Sequence, residues 1–218
     1  MKTEISKIIK DENFKGLVTD INEVFLDSFL ESGIIKDIPI LGLVSKVINI
    51  GNTIQERLYT KKLLTFLKQL EDTKPEDREK EINKIDENKN YKTKVGEKLL
   101  YIINEADDCE KAEYIGVLFK LFLEQTLSYV DFIRCVNCIN KTNIIDLNFF
   151  IKETFIERYI NSNIENYLNT GLITQEYKDP MNENYKKNLI NYERANIKYN
   201  ISNIGIYIRR YLNPTIIP

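Results

Sequence analysis

Apolar residues recur at intervals of three and four through most of the chain, and no other sequence feature limits the fold as strongly. In residues 13–31 the positions with this spacing are Phe14, Leu17, Val18, Ile21, Val24, Phe25 and Leu26. Such spacing places apolar side chains on one face of a helix. Further stretches of this kind begin near Pro39, Leu63, Val95, Ala112 and Phe132, and a helix is predicted over 144–158. The pattern predicts a mainly α, multi-helix bundle.

Short polar residues mark where several of these helices should start. Thr73 followed three residues later by Glu76, and Ser128 followed by Asp131, have the spacing of capping boxes, in which side chains satisfy free N–H groups of the first turn. Asp108 is a predicted N-cap for the helix that follows it. Between these signals, residues 71–93 are strongly polar, so any helix there should be largely solvated.

From residue 159 onward the pattern changes. Ser162 and Glu165 have capping-box spacing and should start a short helix, which Gly171 ends as a left-handed C-cap. A strand is predicted over 172–174 and another over 197–201, on either side of a polar, tyrosine-rich stretch. A last helix is predicted over 203–212, capped by Ser202 at its start and stopped by a proline after its end.

This C-terminal order of elements is similar to a known module. Tyr167-Leu168-Asn169-Thr170-Gly171-Leu172-Ile173, then Tyr199-Asn200-Ile201-Ser202-Asn203-Ile204-Gly205, then Arg209-Arg210-Tyr211-Leu212 resembles the winged-helix pattern of many bacterial regulators. The resemblance implies a helix ending in a tight turn, a two-stranded wing and a capped closing helix with an early glycine. It covers about a quarter of the chain and concerns structural positions, so it implies a fold and not an activity.

Two features depart from that family's usual pattern: the wing is long, and residues 163–169, in the position of the recognition helix, include Glu165 but no Lys or Arg. The N-terminal part, notably residues 37–64, is similar to stretches of uncharacterised bacterial helical proteins. We therefore expect a helical body over 1–143 and, over 144–218, a winged-helix-like subdomain with a small β-hairpin packed on the body.

Charge and composition limit the class of protein. The formal net charge is -2, with 22 basic and 26 acidic residues in 1–149 and 9 basic and 7 acidic in 150–218. A chain this evenly charged lacks the broad positive field that drives non-specific nucleic-acid binding. Abundant Ile, Asn and Lys without Trp or His are typical of an AT-rich bacterial or phage genome. An odd number of cysteines, a charged N-terminus and apolar runs too short for a membrane span predict a cytoplasmic protein.

Little in the sequence indicates catalysis. Without histidine the chain lacks the commonest general base and metal ligand, and it has no glycine-rich phosphate-binding motif. Cys135 and Cys138 have zinc-like spacing but too few companion ligands, so buried, inert thiols are the better interpretation. The densest acidic cluster is best explained as charges at a helix start: Glu105, Asp107, Asp108, Glu110 and Glu113. We expect no enzymatic activity, no cofactor and no metal.

The remaining candidate is a surface for a partner. Basic side chains and tyrosines concentrate in the last third of the chain, and both are enriched at interfaces with proteins and with nucleic acids. The candidate surface comprises Asn163, Asn166, Lys186, Lys187, Arg194, Lys198, Arg209 and Arg210. The leading hypothesis is a regulatory protein that binds a protein partner through its helical body and a degenerate winged helix. The alternative is a DNA-binding transcriptional regulator using the wing and the Asn-rich helix, and a homo-oligomer also stays open.

Overall fold

The computed structural model describes residues 4–23, 53–154, 156, 160, 162–177 and 197–213. The start of the helix predicted from Pro39 and most of the predicted wing, with Lys186, Lys187 and Arg194, lie outside these residues. The chain divides into two compact units, an N-terminal unit, Met1–Val136, and a C-terminal unit, Asn137–Pro218. The division into domains after residue 143 stays a prediction.

Within the described residues the fold is mainly helical with a small antiparallel sheet, as the sequence predicts at this coarse level. The helices are α1 Glu4–Lys10, α2 Phe14–Glu23, α3 Ile54–Lys68, α4 Pro75–Asp86, α5 Val95–Glu105, α6 Cys109–Leu123, α7 Tyr129–Lys141, α8 Ile144–Lys152 and α9 Asn203–Leu212. The strands are β1 Ile173–Tyr177 and β2 Ile197–Ile201. Among the described helices none has the length and apolar character needed to cross a membrane.

Helix starts in the N-terminal unit follow local capping chemistry at α3, α6 and α7, but no side chain of the N-cap residue caps α4 or α5. Asp108 accepts a hydrogen bond from the Glu110 amide at 2.7 Å, so its predicted role as N-cap is confirmed. The Ser128 hydroxyl likewise accepts from the Asp131 amide at 3.1 Å. The expected cap at Thr73 is wrong, because α4 begins at Pro75 and its N-cap residue is Lys74, whose side chain makes no capping hydrogen bond. Proline pre-sets the helical φ and has no N–H to satisfy, so it starts the helix without a cap.

A second capping box explains why α3 starts at Ile54. The Thr53 hydroxyl accepts from the Glu56 amide, and a Glu56 carboxylate oxygen accepts from the Thr53 amide, each at 3.2 Å. Apolar spacing alone predicts one helix that runs from Pro39 through Ile54 to Leu58. The cap shows instead that a helix begins at Ile54, because a residue inside a helix does not present its amide to a side chain three positions ahead.

The core of the N-terminal unit forms where α3 packs on α6 and α5, and where α1 packs on α4 and α5. Phe119 is central, with ring centroids of Phe66, Phe122 and Phe132 at 5.6, 5.5 and 5.3 Å. Tilted ring pairs at these separations contribute about 0.5–1.5 kcal/mol each beyond the area that they bury. The amphipathic faces predicted from sequence therefore meet in one aromatic core.

The C-terminal unit contains α8, a turn region, the β1–β2 sheet and α9. β2 and α9 have the predicted bounds, whereas β1 begins one residue later than predicted and extends to Tyr177, and α8 ends at Lys152 instead of 158. The strands pair antiparallel, with Ile173 opposite Ile201. Gly171, at φ 88°, has the left-handed backbone predicted for it.

Candidate interaction surface

The described residues of the candidate surface lie on three elements of the C-terminal unit. Asn163 precedes a single turn of 3-10 helix, Ile164–Asn166, and Asn166 is the last residue of that turn. Lys198 is exposed on β2, and Arg210 is exposed on α9.

Arg209 does not belong to any outer surface. Its side chain is 7% exposed, and its guanidinium donates to the Phe150 carbonyl and, at 2.9 Å, to the Glu153 carbonyl. The guanidinium carbon also lies 5.7 Å from the centroid of the Phe150 ring. These carbonyls close the C-terminal end of α8, where the helix dipole favours a cation. Burial lowers the pKa of Arg209, and the negative charge of Glu153 partly offsets this lowering. Arg209 therefore caps α8 and is removed from the candidate surface.

The element in the recognition position differs from the expected short helix. Ile164–Asn166 form one 3-10 turn, and the side chain of its N-cap residue, Asn163, does not cap it. The Asn166 side-chain amide donates to an Asp146 carboxylate oxygen at 3.0 Å, and Glu165 beside it is exposed. The Tyr167 hydroxyl donates to the Asp146 carbonyl at 3.0 Å. The Asn166 amide is thus already bound to one carboxylate, Asp146, and a second carboxylate, Glu165, lies beside it. This part of the surface is therefore anionic and repels phosphate.

The sheet has one polar face and one largely apolar face. Register places Thr174 opposite Asn200 and Glu176 opposite Lys198 on the same face, since side chains alternate along a strand. The Asn200 side-chain amide donates to a Glu176 carboxylate oxygen at 3.0 Å. The polar face thus carries one lysine and one glutamate, whose charges cancel.

The opposite face of the sheet carries Ile173, Tyr199 and Ile201, all half-buried, together with Ile197 and Gln175. Ile197 lies toward the outer end of β2 and is 37% exposed. An isolated two-stranded sheet has marginal stability, so its apolar face needs packing against another element. At the end of the sheet nearest α9, Ile201 lies close to Gly205 and is half-buried, whereas Ile197 at the other end of β2 is exposed.

Two helices present pairs of large apolar side chains to the outside. On α8, Ile145 is 65% exposed and Phe149 is 45% exposed, with Lys152 exposed on the same side. On α3 in the N-terminal unit, Ile54 is 76% exposed and Leu58 is 45% exposed. Residues four apart are neighbours on a helix surface, so each pair forms a continuous apolar strip. We call the pair Ile145 and Phe149 the α8 strip.

Sequence periodicity did not identify the α8 strip as surface. Apolar side chains occupy most positions of residues 144–151, so the pattern does not show which face is buried. Leu147, Phe150 and Ile151 are buried, and Ile145 and Phe149 are outside. Residues 144–151 contain more apolar side chains than one helix face can bury. That excess was the sequence signal that some of them must be exposed.

The acidic cluster predicted at the start of α6 serves the fold. Besides the Asp108 cap, Asp107 pairs with the ammonium of Lys111 at 2.7 Å, and Glu110 accepts from the Tyr114 hydroxyl at 2.8 Å. Burial, followed by the Glu110 hydrogen bond, raises the pKa of Tyr114. The described part of the chain contains no group of three or more Cys, Asp or Glu side chains that could hold a metal ion.

The cysteines differ in accessibility, which predicts their reactivity. Cys135 and Cys138 are buried and Cys109 is half-buried. Burial raises the pKa of Cys138 to about 11, although Lys141 acts in the opposite direction. Because the thiolate is the reactive form, a disulfide reagent at pH 8 should modify Cys109 in the native chain and all three thiols only in denaturant. Cys109→Ser should abolish the native reaction, and rapid native labelling of Cys138 would contradict its burial.

No protein-family model, no curated protein and no solved structure matches this chain.

Proposed function

We propose that this chain is a non-enzymatic regulatory protein that binds a protein partner, and that the C-terminal unit is a degenerate winged helix contributing the α8 strip to the interface. The exposure of Ile145 and Phe149 is the observation that carries the proposal. Single exposed apolar residues are ordinary, but a continuous strip that includes an aromatic ring is typical of a binding surface. Aromatic side chains are enriched in the buried centre of protein interfaces.

The order of elements supports the winged-helix interpretation. α8 leads through the 3-10 turn and the left-handed Gly171 into β1, β2 and α9, and the Ser202 hydroxyl caps α9 by accepting from the Gly205 amide at 2.9 Å. The resemblance implies a helix that ends at the Gly171 turn, two strands and a capped closing helix, and the turn, the two strands and the cap support it. The reduction of the recognition position to one 3-10 turn is what makes the module degenerate.

A DNA-binding regulator is the competing function, favoured by the exposed Lys198 and Arg210. The described surfaces oppose it in two places. The 3-10 turn has no cation and presents Glu165, and the polar face of the sheet balances Lys198 with Glu176. A groove-reading protein neutralises several phosphates with Lys and Arg, so these elements supply little of that binding energy.

The test is affinity purification of the tagged full chain from the cells that encode it. We expect a protein recovered in stoichiometric amount, and we expect its affinity to fall by tenfold or more, about 1.4 kcal/mol, when Ile145 and Phe149 are both changed to Ser. Lys152→Ser is the matched control, because it changes an exposed residue on the same side of α8. The control should retain the partner.

The same preparations should be titrated with duplex DNA at low salt, where we expect no shift. Salt-dependent DNA binding that disappears when Lys186, Lys187 and Arg194 are changed to Ala would establish the competing function. A partner retained undiminished by the Ile145 and Phe149 double variant would show that the α8 strip is not the interface.

A further inference from the structure

Five lysines of the N-terminal unit lie around the junction where α4 ends, α5 begins and α1 packs on both helices. Lys10, at the end of α1, donates to the Asn83 side chain of α4 at 2.9 Å. The loop between α4 and α5 is closed at its base by Asp86, whose carboxylate accepts from the Val95 amide at 2.8 Å. We call the following set the lysine cluster: Lys10, Lys84, Lys89, Lys92 and Lys94.

The loop that carries most of the lysine cluster is held by an aromatic contact and by local hydrogen bonds. The Tyr91 ring packs edge-on against the Tyr129 ring, with 5.1 Å between the two centroids. The Tyr91 amide donates to the Asn88 carbonyl, and the Asn90 amide donates to the Asn88 side chain, each at 3.0 Å. The lysines therefore extend from an ordered backbone, which reduces the conformational entropy that binding would cost.

Positive charge exceeds negative charge on this surface. Between residues 82 and 95 four lysines are exposed, and Glu87 is the one exposed acid in that range. Lys84 has an acidic partner, the buried Glu81, at 3.2 Å. Among the described residues, Lys89 and Lys92 have no acidic partner. In a chain of net charge -2, the lysine cluster is thus a local positive surface that attracts an anionic partner.

Three features indicate which kind of anion fits the lysine cluster. No arginine occurs in residues 82–95, although arginine is the side chain that binds phosphate oxygens in pairs. The aromatic ring of the loop, Tyr91, already packs on Tyr129, so it is not open for stacking with a nucleic-acid base. No large apolar side chain is exposed in residues 82–95, so the surface lacks the groups that insert into a bilayer. Carboxylates spaced along a protein segment fit best, because separate ammonium groups bind them as point charges.

We propose that the lysine cluster binds an acidic segment of a partner protein. This surface belongs to the N-terminal unit, whereas the α8 strip belongs to the C-terminal unit. The two surfaces also differ in chemistry, since the α8 strip is apolar and the lysine cluster is cationic. Attraction between exposed charges acts mainly on the rate of association and weakens as salt is added.

The test uses a fluorescein-labelled polyglutamate peptide, whose fluorescence anisotropy is measured as the full chain is added at low salt. We expect binding that weakens with salt, and an affinity lower by about tenfold or more when Lys89→Glu and Lys92→Glu are combined. The variant that combines Lys68→Glu and Lys74→Glu is the matched control, because both lysines are exposed in the same unit and lie outside the cluster. Its affinity should change by less than about threefold.

Carbodiimide coupling of the peptide to the unsubstituted chain gives a second measurement, because it joins carboxylates to the lysine amines that they contact. Mass spectrometry should place most of the crosslinks on the four exposed lysines of the cluster. Crosslinks mainly on other lysines, or an equal loss of affinity in the two charge variants, would overturn the proposal.

Two further probes test the other classes of partner. Tighter binding of duplex DNA or of phosphatidylglycerol vesicles than of the peptide, lost in the Lys89 and Lys92 variant, would assign the surface to nucleic acid or lipid and would also overturn the proposal. The double variant of Ile145 and Phe149 should bind the peptide as the unsubstituted chain does. Its behaviour separates this result from the test of the α8 strip.

Discussion

Replacing Arg209 with alanine is expected to destabilise the C-terminal unit by about 3–6 kcal/mol, because hydrogen bonds to a charged group contribute about 1.5–3 kcal/mol each and two are lost. The carbonyls of Phe150 and Glu153 would be left at the end of α8 without their donor. The Asn213 amide, 3.3 Å from the Ile151 carbonyl, cannot replace a guanidinium that reaches two carbonyls at once. The side chain's contact with the Phe150 ring is lost as well.

Hydrogen exchange of the α8 and α9 amides measures this effect locally, together with chemical denaturation followed by circular dichroism. Arg210→Ala is the matched control, because the neighbouring arginine is exposed and should change stability by less than about 0.5 kcal/mol. Arg209→Lys should fall between the two, since an ammonium is a point charge without the guanidinium's fork of donors. Equal protection factors in Arg209→Ala and Arg210→Ala would show that the buried contacts do not stabilise the unit.

Replacing Gly205 with valine is expected to destabilise the same unit by about 3 kcal/mol, near the upper end of what overpacking costs. A Cβ at this position would collide with the Leu172 carbonyl oxygen and would lie 2.9 Å from Ile201 Cγ2 and 3.0 Å from Phe150 Cζ. The carbonyl oxygen is backbone, and it accepts the Ser202 amide at 2.9 Å, so it cannot move aside without breaking that bond. The expected result is separation of α9 from the base of the sheet.

Thermal unfolding and the exchange of the β1 and β2 amides measure the loss. Asn203→Val is a suitable control, because residue 203 is exposed at the start of the same helix and tests the cost of valine alone. Gly205→Ala should lie between the two, since helix propensity favours alanine by about 1 kcal/mol while the collision remains. A Gly205→Val chain as stable as the control would contradict the close approach of α9 to Leu172.

Most of the described helices follow from local chemistry, which explains why they were predictable. β2 and α9 were predicted to the residue because their signals lie within a few positions of one another: alternation along 197–201, the Ser202 hydroxyl three residues before the amide that it caps, and a proline after the end. α8 ends six residues earlier than predicted. Its apolar spacing continues past Lys152, but Arg209, distant in sequence, binds the carbonyl of Glu153 where the backbone turns extended.

Side-chain direction was the part that local patterns could not supply. Arg209 and Arg210 are adjacent and chemically identical, and both were assigned to the candidate surface. One is buried against α8 and the other is exposed, because only Arg209 points at the carbonyls of Phe150 and Glu153 at the end of α8. In the same way, the apolar residues of α8 look alike in sequence, and the packing of α9 decides that Phe150 is covered and leaves Ile145 outside.

The sequence by itself determined the helical class, the positions of most caps and strands, and the absence of histidine-based chemistry, because periodicity, capping and composition act over a few residues. Only the tertiary structure decided which arginine is a cap, which acids are engaged by the fold and which apolar residues form the α8 strip. Those choices depend on free carbonyls, amides and apolar surface that come from segments far apart along the chain. The candidate surface defined by composition thereby loses Arg209 and gains Ile145 and Phe149, the residues on which the proposed function rests.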